Sequence, residues 1–110
     1  MRKAIVKIEM QVAGVLTQDD KGYHFEYEKL YLGKADAKPV SLTLPIRDAV
    51  YSSTVLFPFF DGLIPEGWLL DIAEKNWKLN PRDRMGLLLA CCKDCIGAVS
   101  IEQVYEEYQP

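Results

Sequence analysis

Alternating apolar and polar positions run through the first 45 residues and predict strands. Residues 3–16, KAIVKIEMQVAGVL, alternate with the period of two that is typical of a half-buried strand. The cluster at residues 19–22, DDKG, predicts a turn, and residues 23–32, YHFEYEKLYL, predict the next strand. Residues 40–44, VSLTL, predict a third strand, which Pro45 ends.

The pattern changes in the second half of the chain. Residues 48–54 are polar and predict a turn, whereas residues 55–61 are apolar and predict a short buried helix or turn that Pro58 interrupts. Pro65 suits the first position of a helix, because proline has no N–H to donate there. We expect that helix to continue to about residue 78.

A last helix and a last strand complete the predicted fold. Asn80 is the expected cap of the helix, with Pro81 at its first position and Asp83 as favourable charge in the first turn. Its apolar face would comprise Met85, Leu88, Leu89 and Cys92. Residues 96–101 predict a buried strand, and the acidic stretch 102–110 is expected to fray.

Together these elements predict an α+β fold, with a small, mainly antiparallel sheet and two to three helices. We expect one domain over residues 1–103, followed by an acidic tail over residues 104–110.

Composition and charge narrow the class of protein. The chain has 110 residues, of which 49% are hydrophobic, and this suits a single globular domain. Its net charge of −3 and scattered basic residues argue against direct nucleic-acid binding. The sequence contains no signal peptide and no apolar run of the roughly 18 residues that a membrane span needs. We therefore expect a cytoplasmic protein without membrane contact.

The residues that could carry catalysis are few. His24 is the single histidine, lies within a predicted strand, and has no hydroxyl or thiol placed beside it by the sequence. Cys92 and Cys95 have the C-x-x-C spacing, but they fall at the end of a helix rather than at its start, where a redox thiol would be activated. A zinc site would need four ligands, and only Cys91 and the distant His24 are left to complete it.

Redox and zinc chemistry thus remain open as alternatives, but structural thiols fit the pattern better. Phosphate-binding glycine motifs and kinase motifs are absent from the sequence. We expect no enzyme activity, no cofactor and no metal.

The most unusual stretch is residues 57–68, FPFFDGLIPEGW. Core packing is the expected role of the apolar residues in its first part, namely Phe57, Phe59, Phe60 and Leu63. The segment from Pro65 to Trp68 precedes a helix, where a large side chain can project outward. Tryptophan is the residue most enriched at binding hot spots, so Trp68 is a candidate contact, whereas Trp77 is expected to be partly buried.

Several segments resemble the N-terminal subdomain of the HipA toxin kinases. They are VAGVL, FEYE, SLTLPI, PFFDGLIPEG, DRMGLLLA and DCIGAVSI, which occur in this order over residues 4–101. HipA-type toxins are serine/threonine kinases of bacterial toxin–antitoxin systems whose targets are aminoacyl-tRNA synthetases. The resemblance implies that the ATP site and catalytic residues belong to parts of such kinases that this sequence does not include.

The resemblance leaves two hypotheses open. One is a HipS-like antitoxin subunit, which in HipBST systems neutralises the kinase HipT in the company of the DNA-binding protein HipB. The other is the N-terminal structural subdomain of a full-length HipA kinase, which mediates dimer or antitoxin contacts. The start at Met1, the polar C-terminal stretch and Trp68 directly after PEG favour the HipS-like hypothesis.

For the HipS-like hypothesis, we expect the chain to inhibit the kinase by docking on it. The loop around Trp68 would enter or cover the active-site cleft, and the carboxylates of Asp61 and Glu66 would meet basic residues there. The predicted partner-binding residues are Asp61, Ile64, Pro65, Glu66, Gly67, Trp68 and Leu69.

Overall fold

A computed structural model describes residues 1–64, 67, 82–91 and 98–104. Within this part of the chain, five strands form one antiparallel sheet in the order β4-β3-β2-β1-β5. The strands are β1 (Arg2–Ile8), β2 (Gln11–Asp19), β3 (Gly22–Tyr27), β4 (Tyr51–Ser53) and β5 (Val99–Val104). The helices are α1 (Lys29–Leu32), α2 (Pro58–Asp61) and α3 (Arg84–Cys91). The predicted α+β class with a mainly antiparallel sheet is confirmed.

The predicted strand over residues 3–16 is in fact a hairpin. Glu9 and Met10 have φ angles of 50° and 73°, and Ile8 pairs with Gln11 across this two-residue turn. Turns of this kind usually contain Asn or Gly in the sequence, because these residues adopt positive φ easily. Neither residue type stands here, so the sequence carried no signal for the reversal.

The second hairpin, between β2 and β3, is where the sequence predicted a turn. Asp19 accepts a hydrogen bond from the Lys21 N–H at 2.8 Å. Gly22 has a φ of 132°, and a Cβ at this position would lie 2.3 Å from the Ser53 carbonyl oxygen. Glycine is therefore required both by the backbone conformation and by the close approach of the next strand.

Three further expectations between residues 23 and 54 are wrong. The strand that begins at residue 22 ends at Tyr27, and α1 follows it. Residues 40–44 form a turn instead of a strand, because the Tyr27 hydroxyl accepts from the Val40 N–H at 3.0 Å and donates to the Leu44 carbonyl. Residues 51–53, predicted as a turn, form the edge strand β4, which is too short to show a clear alternation.

One face of the sheet carries the core. Ala4, Val6 and Ile8 alternate along β1 as buried residues, and Leu16, Phe25, Tyr27 and Ile101 line the same core from the other strands. The helices cover this face with Tyr31, Phe60, Met85, Leu87 and Leu88. Burial of one strand face against helices is the arrangement that the period-two pattern predicts.

The two described helices of the second half differ in detail from the prediction. Pro58 opens α2 at its first turn rather than interrupting it. α3 begins at Arg84, and Asp83 is its cap, because Asp83 Oδ1 accepts from the Gly86 N–H at 3.1 Å. Met85, Leu88 and Leu89 are buried, as their helical spacing predicts.

The last strand starts and ends later than expected. β5 runs from Val99 to Val104, so residues 102–104 belong to the sheet rather than to a frayed tail. The helix predicted over residues 65–78, the cap Asn80 with Pro81, and residues 105–110 lie outside the described part of the chain, Gly67 excepted.

Candidate partner-binding surface

The base of the candidate surface is a tightly packed aromatic turn. Phe60 is fully buried, and its ring lies 5.2 Å from that of Phe59, 6.2 Å from that of Phe57 and 5.5 Å from that of Phe25 on the sheet. Aromatic pairs at these separations stabilise beyond the area that they bury. The core role predicted for these phenylalanines is confirmed for Phe57 and Phe60, whereas Phe59 is half-buried against the core.

Backbone hydrogen bonds extend the turn from the aromatic residues to residue 64. The N–H of Leu63 donates to the Phe60 carbonyl at 3.1 Å, and the N–H of Ile64 donates to the Asp61 carbonyl at 3.2 Å. The backbone is therefore held by hydrogen bonds as far as Ile64.

An ion pair between Asp61 and Arg84 also holds this turn in place. The Nε of Arg84 lies 2.5 Å from Oδ1 of Asp61, and both side chains are about one-third to two-fifths exposed, at 32% and 41%. The pair joins the last residue of α2 to the first residue of α3. Asp61 thus has a partner within its own chain, and Arg84 is a residue of the surface that the sequence did not single out.

The six predicted binding residues other than Asp61 fall into three groups. The side chain of Ile64 belongs to the core, with 4% exposure, and packs within the turn, and its predicted partner contact stays a prediction. Gly67 is exposed, and a Cβ there would meet no atom within 4 Å. Pro65, Glu66, Trp68 and Leu69 lie outside the described residues, and their partner contacts stay a prediction.

A second polar cluster joins the start of the chain to α3. Arg2 donates two parallel hydrogen bonds to Asp83, from Nη1 to Oδ2 at 2.8 Å and from Nη2 to Oδ1 at 2.6 Å. The hydrogen bond from Arg2 is the main cause that lowers the pKa of Asp83 below its ordinary value. A Cβ on Gly86 would lie 2.3 Å from Oδ2 of Asp83, so this glycine makes room for the pair.

His24 has neighbours that the sequence did not indicate. Its Nδ1 lies 2.8 Å from the Ser52 hydroxyl, and its Nε2 lies 3.0 Å from Oδ2 of Asp19. The second contact is close enough for an ion pair but is poorly aligned for a hydrogen bond. The imidazole thereby links the β2–β3 turn to the edge strand β4, which is a structural role.

The predicted alternatives based on cysteine are not decided by the geometry. Cys92 and Cys95 lie outside the described residues, as does the side chain of Cys91. Among the residues that are described, no group of three or more His, Cys, Asp and Glu side chains is placed to hold a metal ion. None of the described helices is long and apolar enough to cross a membrane.

Comparison with known proteins decides the family. The family model described as the HipA N-terminal domain matches residues 4–102. The chain belongs to this family. A solved structure, the N-terminal domain of HipA toxin, has the same fold with a TM-score of 0.76 and 28% identity, and the match covers 97% of this chain and 96% of that one.

Relatives of two different lengths carry this HipA N-terminal domain. A Haemophilus influenzae protein whose name states no function is 33% identical over 103 residues, which are 94% of this chain and 93% of that protein. A Sinorhizobium fredii protein that carries the name of a kinase, Y4mE, is 29% identical over 92 residues. Those residues are 83% of this chain but only 22% of the kinase-named protein.

The family assignment relates the chain to toxin kinases and matches it to a subdomain without catalytic residues. It also confirms the resemblance that the segments PFFDGLIPEG, DRMGLLLA and DCIGAVSI predicted.

Proposed function

We propose that this chain is a HipS-like antitoxin, an inhibitory subunit that neutralises a HipT-like serine/threonine kinase toxin. It docks on the kinase and obstructs its active site. The chain itself contributes no catalysis and needs no cofactor. It acts in the cytoplasm, in a complex that also contains a HipB-like DNA-binding protein, and it makes no direct contact with nucleic acid or membrane.

The match to the H. influenzae relative carries this proposal. That match covers 93% of the relative, so in that protein the HipA N-terminal domain accounts for nearly the whole polypeptide. A protein that consists of this domain has no room for a kinase domain, which favours a partnership with a separate kinase. The match therefore supports action on a kinase in trans.

The geometry around residue 61 supports the docking mechanism. The Asp61–Arg84 pair and the aromatic turn hold the chain rigidly up to Ile64. A rigid base lowers the entropy lost when the following segment binds. In the proposed complex, Trp68 fills an apolar pocket of the kinase and Glu66 meets a basic side chain. In this mechanism Asp61 does not contact the kinase. Its ion pair with Arg84 holds the turn that precedes the docking segment in place.

The alternative is that the domain serves as the N-terminal structural part of a longer HipA kinase, where it mediates dimer or antitoxin contacts. The S. fredii relative favours this alternative, since the matched region is a fifth of its length, 22%. The two functions differ in whether the domain inhibits a kinase to which it is not covalently joined.

Co-expression tests the proposal. The chain and the kinase encoded beside it are expressed together, and growth and co-purification are measured. Rescue of growth with a co-purifying complex is the expected result. Absence of rescue in the presence of both soluble proteins would contradict the antitoxin function.

The role of Trp68 is tested in the same assay. Trp68→Ala should abolish rescue, while Leu42→Ala, which removes an apolar side chain that is 93% exposed elsewhere, should leave it intact. Rescue by the Trp68→Ala protein at wild-type dose would contradict the proposed contact.

A further inference from the structure

The two edges of the sheet differ in how they are protected. At one edge β4 has three residues, and the Arg47 guanidinium lies 3.6 Å from the centroid of the Tyr51 ring at its start. Short length and a charged side chain both discourage an edge strand from pairing with another chain. At the other edge β5 has six residues, VSIEQV, with neither lysine nor proline. Within the described residues no strand lies beyond β5, so this is the edge that is open to a further strand.

The ladder between β1 and β5 shows which backbone groups of β5 face outward. The N–H of Glu9 donates to the carbonyl of Ala98 at 2.7 Å, so this pair belongs to the hydrogen-bonded positions of the ladder. Such pairs alternate with non-hydrogen-bonded pairs along antiparallel strands. Every second residue of β5 therefore turns its N–H and carbonyl away from β1, and the register identifies these residues as Val99, Ile101 and Gln103.

A second copy of β5 fits this edge best in one register. With a two-fold axis at Ile101, Val99 of one copy faces Gln103 of the other, and all three outward-facing residues are hydrogen-bonded. A shift by two residues in one direction would place Glu102 opposite Glu102, and like charges directly opposite are unfavourable. The opposite shift would pair Gln103 with a residue before β5 begins and would lose hydrogen bonds.

The charges on the outer face of the sheet suit the same register. Lys7 Nζ lies 2.7 Å from Oε2 of Glu102 in its own chain, and Lys7 is paired with Ser100 across the ladder. In the two-fold register, Ser100 would face Glu102 of the second copy. Each Glu102 would then have a lysine of both copies near it, with about 10 Å between the Cα atoms across two strand spacings. The four side chains would alternate in sign around the axis.

We infer that β5 is an interaction edge, which pairs antiparallel with β5 of a second copy of this chain about a two-fold axis at Ile101. Main-chain hydrogen bonds hold the two strands together, and the alternating charges of Lys7 and Glu102 select the register. An edge-to-edge contact buries little surface, so the dimer is weak and reversible. The pairing needs no kinase, so the inference goes beyond the proposed function and does not depend on it.

Sedimentation equilibrium of the purified chain measures this association. A reducing agent prevents disulfide formation by Cys91, Cys92 and Cys95 during the experiment. The average mass should rise with concentration from that of one chain towards that of two. A chain that stays monomeric up to about 1 mM would overturn the inference and leave the proposed function intact.

Two substitutions of Gln103 test the edge itself. Gln103→Pro removes the outward N–H from both copies, and proline is tolerated in an edge strand where its nitrogen faces away from the sheet. It should weaken association by about tenfold or more. Gln103→Ala retains the N–H and should associate like wild type. Undiminished association of a folded Gln103→Pro protein would contradict the pairing.

Charge exchange between two copies tests the register and leaves the backbone unchanged. Lys7→Glu and Glu102→Lys each place like charges on both sides of the axis, so each variant alone should associate more weakly than wild type. An equimolar mixture should associate more strongly than either variant, because the acidic residues of one then face the basic residues of the other. Neither variant retains the pair within its own chain, so the recovery must arise between chains. A mixture no stronger than its components would overturn the edge-to-edge interface.

Discussion

Arg2 and Asp83 are 81 residues apart in sequence and form a bidentate pair, with N–O distances of 2.6 and 2.8 Å. Asp83 also caps α3 through its contact with the Gly86 N–H. A single carboxylate thus ties the first strand of the sheet to a helix of the second half. The Asp61–Arg84 pair then ties the same helix to the turn that precedes the candidate docking segment.

Gly86→Ala should destabilise the domain. Alanine is normally favoured over glycine in a helix by about 0.5–1 kcal/mol. Here the added Cβ would lie 2.3 Å from Oδ2 of Asp83 and 3.1 Å from Nη1 of Arg2. We expect the free energy of unfolding to fall by about 1–2 kcal/mol, because the pair must move apart. Urea unfolding followed by circular dichroism measures the change.

The control for that prediction removes the obstructing carboxylate. Asp83→Ser keeps a side chain that can cap the helix but cannot hold Arg2 in two hydrogen bonds. In this background Gly86→Ala should be neutral or stabilising. An equal loss of stability in both backgrounds would show that the Arg2–Asp83 pair is not the cause.

The domain should lose stability in acid. The pKa of Asp83 is lowered below its ordinary value of 3.8, chiefly by the hydrogen bond from Arg2. The pKa of Asp19 is lowered as well, chiefly by the contact with His24. The stabilisation is therefore complete above about pH 3.8 and is lost as the pH falls through the lower folded-state values.

Melting temperatures measured over an acid titration test this dependence. Asp83→Asn, which retains a capping oxygen but no charge, should flatten the acid limb and lower the stability at neutral pH. An acid limb of unchanged steepness would contradict the contribution of Asp83.

Phe60→Ala should be among the most destabilising substitutions of the domain. The side chain is fully buried and contacts aromatic rings of both α2 and the sheet. We expect a loss of about 3–5 kcal/mol in the free energy of unfolding. The half-buried Phe59 is the matched control, and Phe59→Ala should lower the free energy of unfolding by clearly less than Phe60→Ala.

Gly67→Gln should impair kinase binding without impairing the fold. An added Cβ at Gly67 meets nothing within 4 Å, so the isolated domain can accept the side chain, which would project into the proposed interface. Gly33→Gln is the control, because Gly33 has a φ of −79° and its nearest neighbour to a Cβ is 3.7 Å away. Both variants should melt like wild type, and only Gly67→Gln should lose growth rescue.

The sequence predicted those features of the fold that leave a local pattern. The alternation in β1 and β3, the turn before Gly22 and the buried face of α3 were all recognisable. The reversal at Glu9–Met10 was not, since residues of the usual turn types are absent there. Residues 40–44 have the sequence pattern of a strand. In the structure, however, the Val40 N–H and the Leu44 carbonyl are hydrogen-bonded to the Tyr27 hydroxyl.

The sequence indicated which segment forms the candidate site, but not the contacts that hold this segment in place. The aromatic, glycine-containing run before Trp68 marked the segment, but no local pattern links Asp61 to Arg84, which are 23 residues apart. The Arg2–Asp83 pair is equally non-local. Such pairs depend on tertiary packing, and short-range periodicity carries no information about them.

The most direct test is a titration of the kinase with the purified chain, followed by its phosphorylation activity. The account predicts that activity falls to background as the chain reaches the concentration of kinase sites, in parallel with complex formation. Full kinase activity in a saturated complex would contradict the inhibitory function and would leave a purely structural contact.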